Sequence, residues 1–485
     1  MTHPIQLGCT WAEAGLSADD FTQAQFAAAP LAARLELEEA VAPYAAHAWP
    51  REPDLRLPTL LLDDVSDIPF LNDVVGVEEY QHRARIRAGD GDLFVAVTPQ
   101  TPGYAEYCRD VLQLGAPEFV LAEPVDGPMR VSLACTQGSA LARFSEVARA
   151  AGGLNIHPYM GIENVWEIAR KVARDAGVPV KVLAPPTPVT WLANDKSLLS
   201  ETVARTCGED FVVETHRSAD PRRLAELLLE MKPRHARVGM KRTRCASGMG
   251  NIHFALAELS DLAQTEARVR EFLRRTEWDE REEVLVVAWE DTPLSPSTQN
   301  WIPPLGAGPP RLDGVYEQLL EGAERVFVGS RPSQLPEQAN RAIAQSSLRV
   351  CAALQAMGYV GRCSFDLLLV GNPEGEFKLR YVECNGRWGG TSTPMHLVDR
   401  LFGGPRPPYR AQDVHLDALS GATLDDVFGK LGDELYDART GQGRYVVYNC
   451  NPLATSGKLD VISVGRTQEE AEELLSVGFP AKMGV

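Results

Sequence analysis

The residues best placed to do chemistry are the acids of two short segments, CSFDLLLV at 363–370 and FKLRYVECN at 377–385. Both read as strands, and residues 371–376 read as the connection between them. With 373–376 as a four-residue loop, Asn372 faces Phe377, and counting outward sets Asp366 opposite Glu383. Directly opposed side chains on antiparallel strands lie roughly 4.5–5.5 Å apart at Cβ. Asn385 follows Glu383 by two and shares its face, because side chains alternate along a strand. Two carboxylates that close repel unless a proton or a cation lies between them, and hard oxygen donors select Mg²⁺ or Ca²⁺ over softer metals. Mg²⁺ carrying a phosphate is the reading that follows; the alternative is a surface hairpin with ordinary polar alternation. Arg362 and Arg387 bracket the acids and suit an anionic substrate or negative charge developing beside a metal. Singly, each is as well explained by a surface ion pair.

A second constellation is RVGMKRTRCASGMGN at 237–251. Alternation places Arg237, Gly239 and Lys241 on one face, and the run Ser247, Gly248, Met249, Gly250 can bring backbone N–H groups close to phosphates with no Cβ in the way. Lys241 supplies a point charge at the root of that loop. The order G-x-x-x-x-G-K-[ST] is absent, so this is not a Walker loop, and two glycines at a hairpin tip are also plain turn chemistry. Further along the chain, Lys196 opens a helix after Asn194 and Asp195, and Glu290 ends the strand in VVAWEDT at 286–292. A lysine and a carboxylate in those positions would line opposite walls of a cleft between domains. His157 and Tyr159 follow a strand-like segment and face either a cleft or a core.

The elements that must position these groups change character along the chain. Strand-like runs at 59–62, 93–97, 118–122, 131–135 and 180–184 alternate with helical periodicity near 104–114, 138–152 and 162–176, the pattern of a parallel sheet with crossover helices. Pro-Pro-Thr-Pro at 185–188 reads as a linker. From 191 to 290 the order is helix 196–206, strand 211–214, a helix from Pro221 capped by Asp220, strand 237–241, the glycine loop 242–251, strand 252–256, helix 265–275 and strand 283–289. A Pro- and Gly-rich stretch at 295–310 interrupts the pattern before a helix at 336–357 and the two acid-bearing strands. A tail follows, with strands at 444–449 and 459–464 and a helix at 467–475. The expected division is an α/β domain over 1–187, an α+β unit over 188–290, and a metal-binding domain with an extension over 291–485.

Charge narrows the partners. Against 48 basic residues stand 66 acidic ones, and a net charge of -18 opposes adhesion to nucleic acid or anionic lipid, so neither a nucleic-acid nor a membrane partner is expected. An anionic ligand then needs locally gathered lysines, arginines or metal. No apolar run approaches the ~18 residues of a membrane span, and the start, Met-Thr-His-Pro, lacks the basic-then-apolar pattern of a signal peptide, which makes a cytoplasmic protein the expectation. The nine cysteines show no CxxC pair and read as reduced, mostly buried thiols.

In order along 190–395, these pieces resemble the ATP-grasp superfamily: a helix opened by Lys196, a strand with Lys241 and its glycine loop, a hinge strand ending near Glu290, Phe365-Asp366, and VECNGRWGG at 382–390. Within that superfamily, SPSTQ at 295–299 and the long first domain look like the pheganomycin-type peptide ligases with a pre-ATP-grasp N-terminal domain. The resemblance implies an ATP-grasp fold, ATP as nucleotide, and Mg²⁺, with Mn²⁺ as a substitute, on Asp366, Glu383 and Asn385. It implies phosphate contacts from Lys196 and Lys241, a lid formed by Ser247, Gly248 and Gly250, and a nucleotide wall ending at Glu290, although many members carry their glutamate earlier in that strand. Arg387 and Arg362 would stabilise charge on the reacting carbonyl; Arg362 lies a little further from its acid than the family arginine. The implied activity is an ATP-dependent ligase joining a small carboxylate to an amine, such as an amino acid or short peptide. A kinase on the same scaffold and a nucleotide-binding regulatory protein without turnover are the alternatives, and a homodimer is open.

Overall fold

Short strands of three to five residues, separated chiefly by helices, build the first of three sheets in the computed structural model, which describes residues 4–69, 74–244, 250–321 and 326–484. Strands β1 (Thr59–Leu62), β2 (Leu93–Ala96), β3 (Glu118–Leu121), β4 (Leu154–Pro158) and β5 (Val180–Val182) are all parallel, in the order β3-β2-β1-β4-β5. Parallel neighbours need long crossovers, here chiefly the helices Gly138–Ala151 and Glu163–Ala176. The second turns Val165, Trp166, Ile168, Ala169 and Val172 inward, a stripe repeating every three to four residues. Residues 131–135, expected as a strand, form the helix Val131–Ala134 instead. So short an apolar run does not distinguish the two by periodicity, and the Asp64 carboxylate accepts bonds from both the backbone N–H and the hydroxyl of Ser132 at 2.6 Å, satisfying a first-turn donor. The prolines at 185–188 likewise do not make a linker. They open the helix Thr187–Asn194, with Pro188 in the first turn, where a missing N–H leaves no bond unmade.

The second sheet is antiparallel, with β6 (Thr215–Ser218), β7 (Arg237–Arg242), β8 (Asn251–Ala255) and β9 (Val284–Ala288) in the order β6-β9-β7-β8. The edge strand β6 lies four residues beyond the expected 211–214; Glu209–Phe211 is a 3₁₀ turn. Asp220 caps the helix Pro221–Met231 by accepting from Arg222 N–H, as its sequence predicts.

The third sheet has eight antiparallel strands: β10 (Pro296–Ile302), β11 (Arg311–Glu321), β12 (Val326–Pro332), β13 (Gly361–Gly371), β14 (Phe377–Asn385), β15 (Tyr409–His415), β16 (Tyr445–Tyr448) and β17 (Lys458–Val464), ordered β14-β13-β10-β11-β12-β15-β17-β16. The 295–310 stretch therefore does not interrupt the pattern but supplies an interior strand. Pro296 begins it, where proline is tolerated, and Ser297, Thr298, Gln299 and Asn300 are buried although polar, so no apolar alternation marks the strand. Behind the sheet lies the helix Glu337–Ala356, whose Ile343 and Leu348 share a core with Phe365 and Tyr381 and with Ile5, Trp11 and Leu31 from the chain's first segment. No helix among the described residues is long and apolar enough to cross a membrane.

The acid-bearing hairpin closes one residue tighter than predicted. Gly371, not Asn372, pairs with Phe377. Continued unbroken, that register would set Asp366 against Val382. A β-bulge at that point absorbs Val382, so that Asp366 does oppose Glu383 and Ser364 opposes Asn385. The bulge also reverses the alternation. Leu379 and Tyr381 are buried in the core, yet Glu383, two further on, faces the other side and Cys384 turns inward.

Phe365 anchors this hairpin, fully buried with its ring 5.5 Å from that of Tyr381. Phe365→Ala is expected to lower the unfolding free energy by about 3–5 kcal/mol in urea titrations; a loss below about 1 kcal/mol would contradict the packing described.

Candidate active site

A cleft of about 1310 Å³ opens where the three sheets meet, larger than the ~300–1,000 Å³ of a pocket for one small molecule. Lys196, Lys241, Gly389, Glu290, Asp366, Glu383, Asn385 and Arg387 all line it. At its floor the two acids sit side by side on β13 and β14. Burial, and then the Glu383 charge, push the Asp366 carboxyl up to about 7, against hydrogen bonds from Ser297 and Asn385. Burial alone would raise Glu383 as well, but Lys196, Arg387 and Lys241 together hold it below its ordinary value. The Lys196 ammonium lies 3.0 Å from Glu383 Oε2, and Asn385 Nδ2 donates to Asp366 Oδ2 at 3.0 Å. The donor set of two carboxylates and a carboxamide oxygen suits a hard divalent cation.

Lys196 owes its place to the helix Lys196–Cys207, capped by Asp195, whose side chain accepts from Ser197 and Leu198 N–H. Its own backbone N–H donates to Thr243 O at 3.0 Å, tying the helix to the end of β7. One residue earlier, Asn194 Oδ1 accepts from Arg387 Nη1 at 2.6 Å and from Gly386 N at 3.2 Å. A Cβ on Gly386 would stand 2.7 Å from Asn194 Nδ2, so glycine is needed for the Asn194 side chain to come this close. Arg387 is thus aimed from below by a residue almost two hundred positions earlier in the chain.

The opposite wall belongs to the second sheet. Lys241 Nζ lies 5.2 Å from the centre of the Trp289 ring, which stacks on His253 at 4.9 Å. Trp289 is a wall residue that the sequence reading passed over, although it stands within VVAWEDT beside Glu290. Glu290 lines the cleft with Arg380 Nε 3.9 Å away. Gly250 accepts from Arg242 N–H through its carbonyl at 2.9 Å, whereas Ser247 and Gly248 lie outside the described residues.

Two other sequence candidates go elsewhere. Arg362 does not line the cleft with the acids: its Nη2 pairs with Asp313 at 2.9 Å and its guanidinium lies 5.0 Å from the Trp388 ring centre. His157 accepts from Trp388 Nε1 at 3.2 Å and is held neutral by burial and by Arg87 nearby, while Tyr159 does line the cleft. The eight described cysteines are free thiols, seven of them buried.

Comparison with known proteins bears on this arrangement. Residues 81–174 match the family described as the pre ATP-grasp domain. The chain superposes on the N5-carboxyaminoimidazole synthase of Aspergillus clavatus, solved with ADP and 5-aminoimidazole ribonucleotide, with a TM-score of 0.51 at 11% identity over 81% of this chain and 98% of that one. The fold is the ATP-grasp fold. The biotin carboxylase domain of 2-oxoglutarate carboxylase from Hydrogenobacter thermophilus, solved with MgADP, ADP and bicarbonate, gives a TM-score of 0.51 at 13% identity over 86% and 88% of the two chains. An ADP complex of N5-carboxyaminoimidazole ribonucleotide synthetase gives 0.50 at 12% identity over 88% and 99%. Among curated proteins, no sequence matches this chain. The parallel sheet β1–β5 is its pre-ATP-grasp portion, and the two antiparallel sheets enclose the cleft.

Gly239, between Lys241 and Arg237 on β7, lets Trp289 lie flat on the strand; a Cβ there would stand 2.7 Å from the indole and 2.6 Å from Ile252 O. Gly239→Ala is expected to cost about 1–3 kcal/mol of stability in chemical denaturation, and an unchanged midpoint would refute the close packing of the ring.

Proposed function

We propose that the protein is an ATP-dependent ligase that activates a carboxylate as an acyl phosphate and joins it to an amine, releasing ADP and phosphate. The observation that carries this reading is the convergence on one cleft of two lysines, an opposed acid pair with its asparagine, and a tethered arginine. In support, proteins of the same fold were solved with ADP, and one with MgADP and bicarbonate.

In this account Asp366, Glu383 and Asn385 hold Mg²⁺, for which Mn²⁺ substitutes. The bound ion supplies Lewis-acid neutralisation of phosphate oxygens. Lys241 and Lys196 offset phosphate charge from opposite walls, and the strand running to Trp289 and Glu290 holds the base and ribose. Lys196 has a second duty. By pairing with Glu383 it keeps that acid ionised and ready for metal while the site is empty. A substrate carboxylate oxygen attacks the γ-phosphorus of ATP and ADP departs; the amine nitrogen then attacks the acyl carbon and phosphate departs, leaving the amide. Arg387, fixed by Asn194, faces the negative charge that develops on the acyl oxygen. Arg362 takes no part at the reacting atoms; its place against Asp313 and Trp388 makes it a support for the strand that carries Asp366. The finer likeness to pheganomycin-type peptide ligases makes amino acids or short peptides the first substrates to offer.

The test is product analysis with Mg·ATP and pooled amino acids and peptides. ADP, phosphate and a condensation product one water lighter than its two substrates are expected. A phosphorylated product without condensation would replace the ligase by a kinase, and ATP binding without turnover across the panel would count against an enzyme. Glu383→Gln and Asp366→Asn should each lower turnover roughly 100-fold or more with the fold intact by circular dichroism, and full activity in either would refute the metal assignment. Lys241→Ala should raise KM for ATP by about 10- to 150-fold, corresponding to the ~1.5–3 kcal/mol of a charge-assisted hydrogen bond; an unchanged KM would remove Lys241 from the phosphates.

A further inference from the structure

One corner of the cleft is apolar and belongs to no core. Leu320 and Phe327 face each other across the hairpin of β11 and β12, and with Val326 and Val328 they line the cleft. None of the four joins any of the hydrophobic clusters that hold the three sheets together. Val326 stays 45% exposed, and Val75 from the first domain, also on the cleft and in no core, stays 50% exposed. Of the seven large apolar side chains left exposed among the described residues, these two share the cleft, so the apolar surface there is gathered rather than scattered. Gln318, Gln412 and His415 line the cleft around it, and an exposed apolar patch with a polar rim is the mark of a binding surface.

Strand register places this corner. β12 pairs with β15 through Gly329 with Gln412 and Ser330 with Ala411; three residues further, the same register sets Val326 beside His415, whose partner on β17 is Lys458. Lys458 Nζ donates to Val75 O at 2.7 Å, which brings Val75 to the same place. On its other side, the edge of the Phe327 ring meets Gly390, where a Cβ would stand 2.6 Å from the ring. Gly390 follows Arg387 by three residues, so the apolar surface begins beside the loop that carries the tethered arginine.

The nucleotide does not account for this surface. Phosphates belong with Lys196, Lys241 and the acids of β13 and β14, and Glu290, near Arg380, marks the wall at the β14 edge. β12 lies on the opposite side of the acids, three strand spacings or about 14 Å from β13. We infer that this corner receives a hydrophobic side chain of the substrate, and that the substrate is a short peptide bearing one. Two extended residues cover about 7 Å, and a leucine or phenylalanine side chain supplies the remainder, whereas a single amino acid falls short. Binding removes Val75, Val326 and Phe327 from water, which favours an apolar side chain over a polar one of similar size. The inference deepens the ligase reading, on which it rests for what the side chain is attached to.

Binding to the full-length protein tests it without requiring turnover. Isothermal titration with glycyl-L-phenylalanine and L-phenylalanylglycine, against glycylglycine and glycyl-L-aspartate, should show at least one phenylalanine peptide binding ten times more tightly than either control. Val326→Asp, which sets a charge in the corner, should cut that preference to twofold or less. Equal binding of all four peptides, no binding of any, or a preference untouched by Val326→Asp would overturn the inference. Should Val326→Asp fail to fold, Val326→Thr keeps the shape and adds only a hydroxyl; the preference should then fall at least threefold, and an unchanged preference overturns the inference. A non-hydrolysable ATP analogue titrated with Mg²⁺ into the same protein separates the two readings. Analogue binding without a peptide preference sinks this inference alone, whereas a peptide preference without analogue binding sinks the ligase reading and leaves the apolar corner standing.

Discussion

Two carboxylates facing each other across neighbouring strands are the constraint around which the rest is arranged. At about 5 Å and an effective dielectric near 20, their repulsion is about 3 kcal/mol, and within the hairpin only the Asn385 amide, donating to Asp366, offsets it. The rest of the relief comes from elsewhere in the chain. Lys196 reaches in from the helix that precedes the second sheet, and Ser297 from the strand alongside. Burial keeps the Asp366 carboxyl raised, while the surrounding cations hold Glu383 below its ordinary value.

The three sheets divide the labour. The eight-stranded sheet fixes the acids rigidly, with the Glu337–Ala356 helix and the chain's first segment packed behind it. The four-stranded sheet, with a core of its own, carries Lys241 as a separate wall, and Trp289 follows its strand β9. The parallel sheet closes the far side and meets the tail strands around Arg83 and Asp460. In a chain of net charge -18, Lys196, Lys241 and Arg387 gather positive charge at one end of the cleft.

Much of this was legible from residue order. Strand alternation put Asp366, Glu383 and Asn385 on one face, and the sequence Lys196, Lys241, acid, acid-x-Asn pointed to the fold. The agreement over Asp366 and Glu383 was partly fortuitous, since the turn is one residue tighter than counted and a bulge at Val382 restores the pairing; bulges leave no signature in alternation. β10 was hidden by the polarity its site-facing side requires. Arg362 shares the strand and the face of Asp366, and only tertiary packing could show that Asp313 and Trp388 claim it instead.

The account stands or falls on where the metal lies. Crystals grown with Mn²⁺ and a non-hydrolysable ATP analogue allow the ion to be placed by its anomalous scattering. The account predicts one or two peaks within coordination distance of Asp366, Glu383 and Asn385, beside phosphates contacted by Lys196 and Lys241. Nucleotide bound with its metal away from those three residues would contradict it.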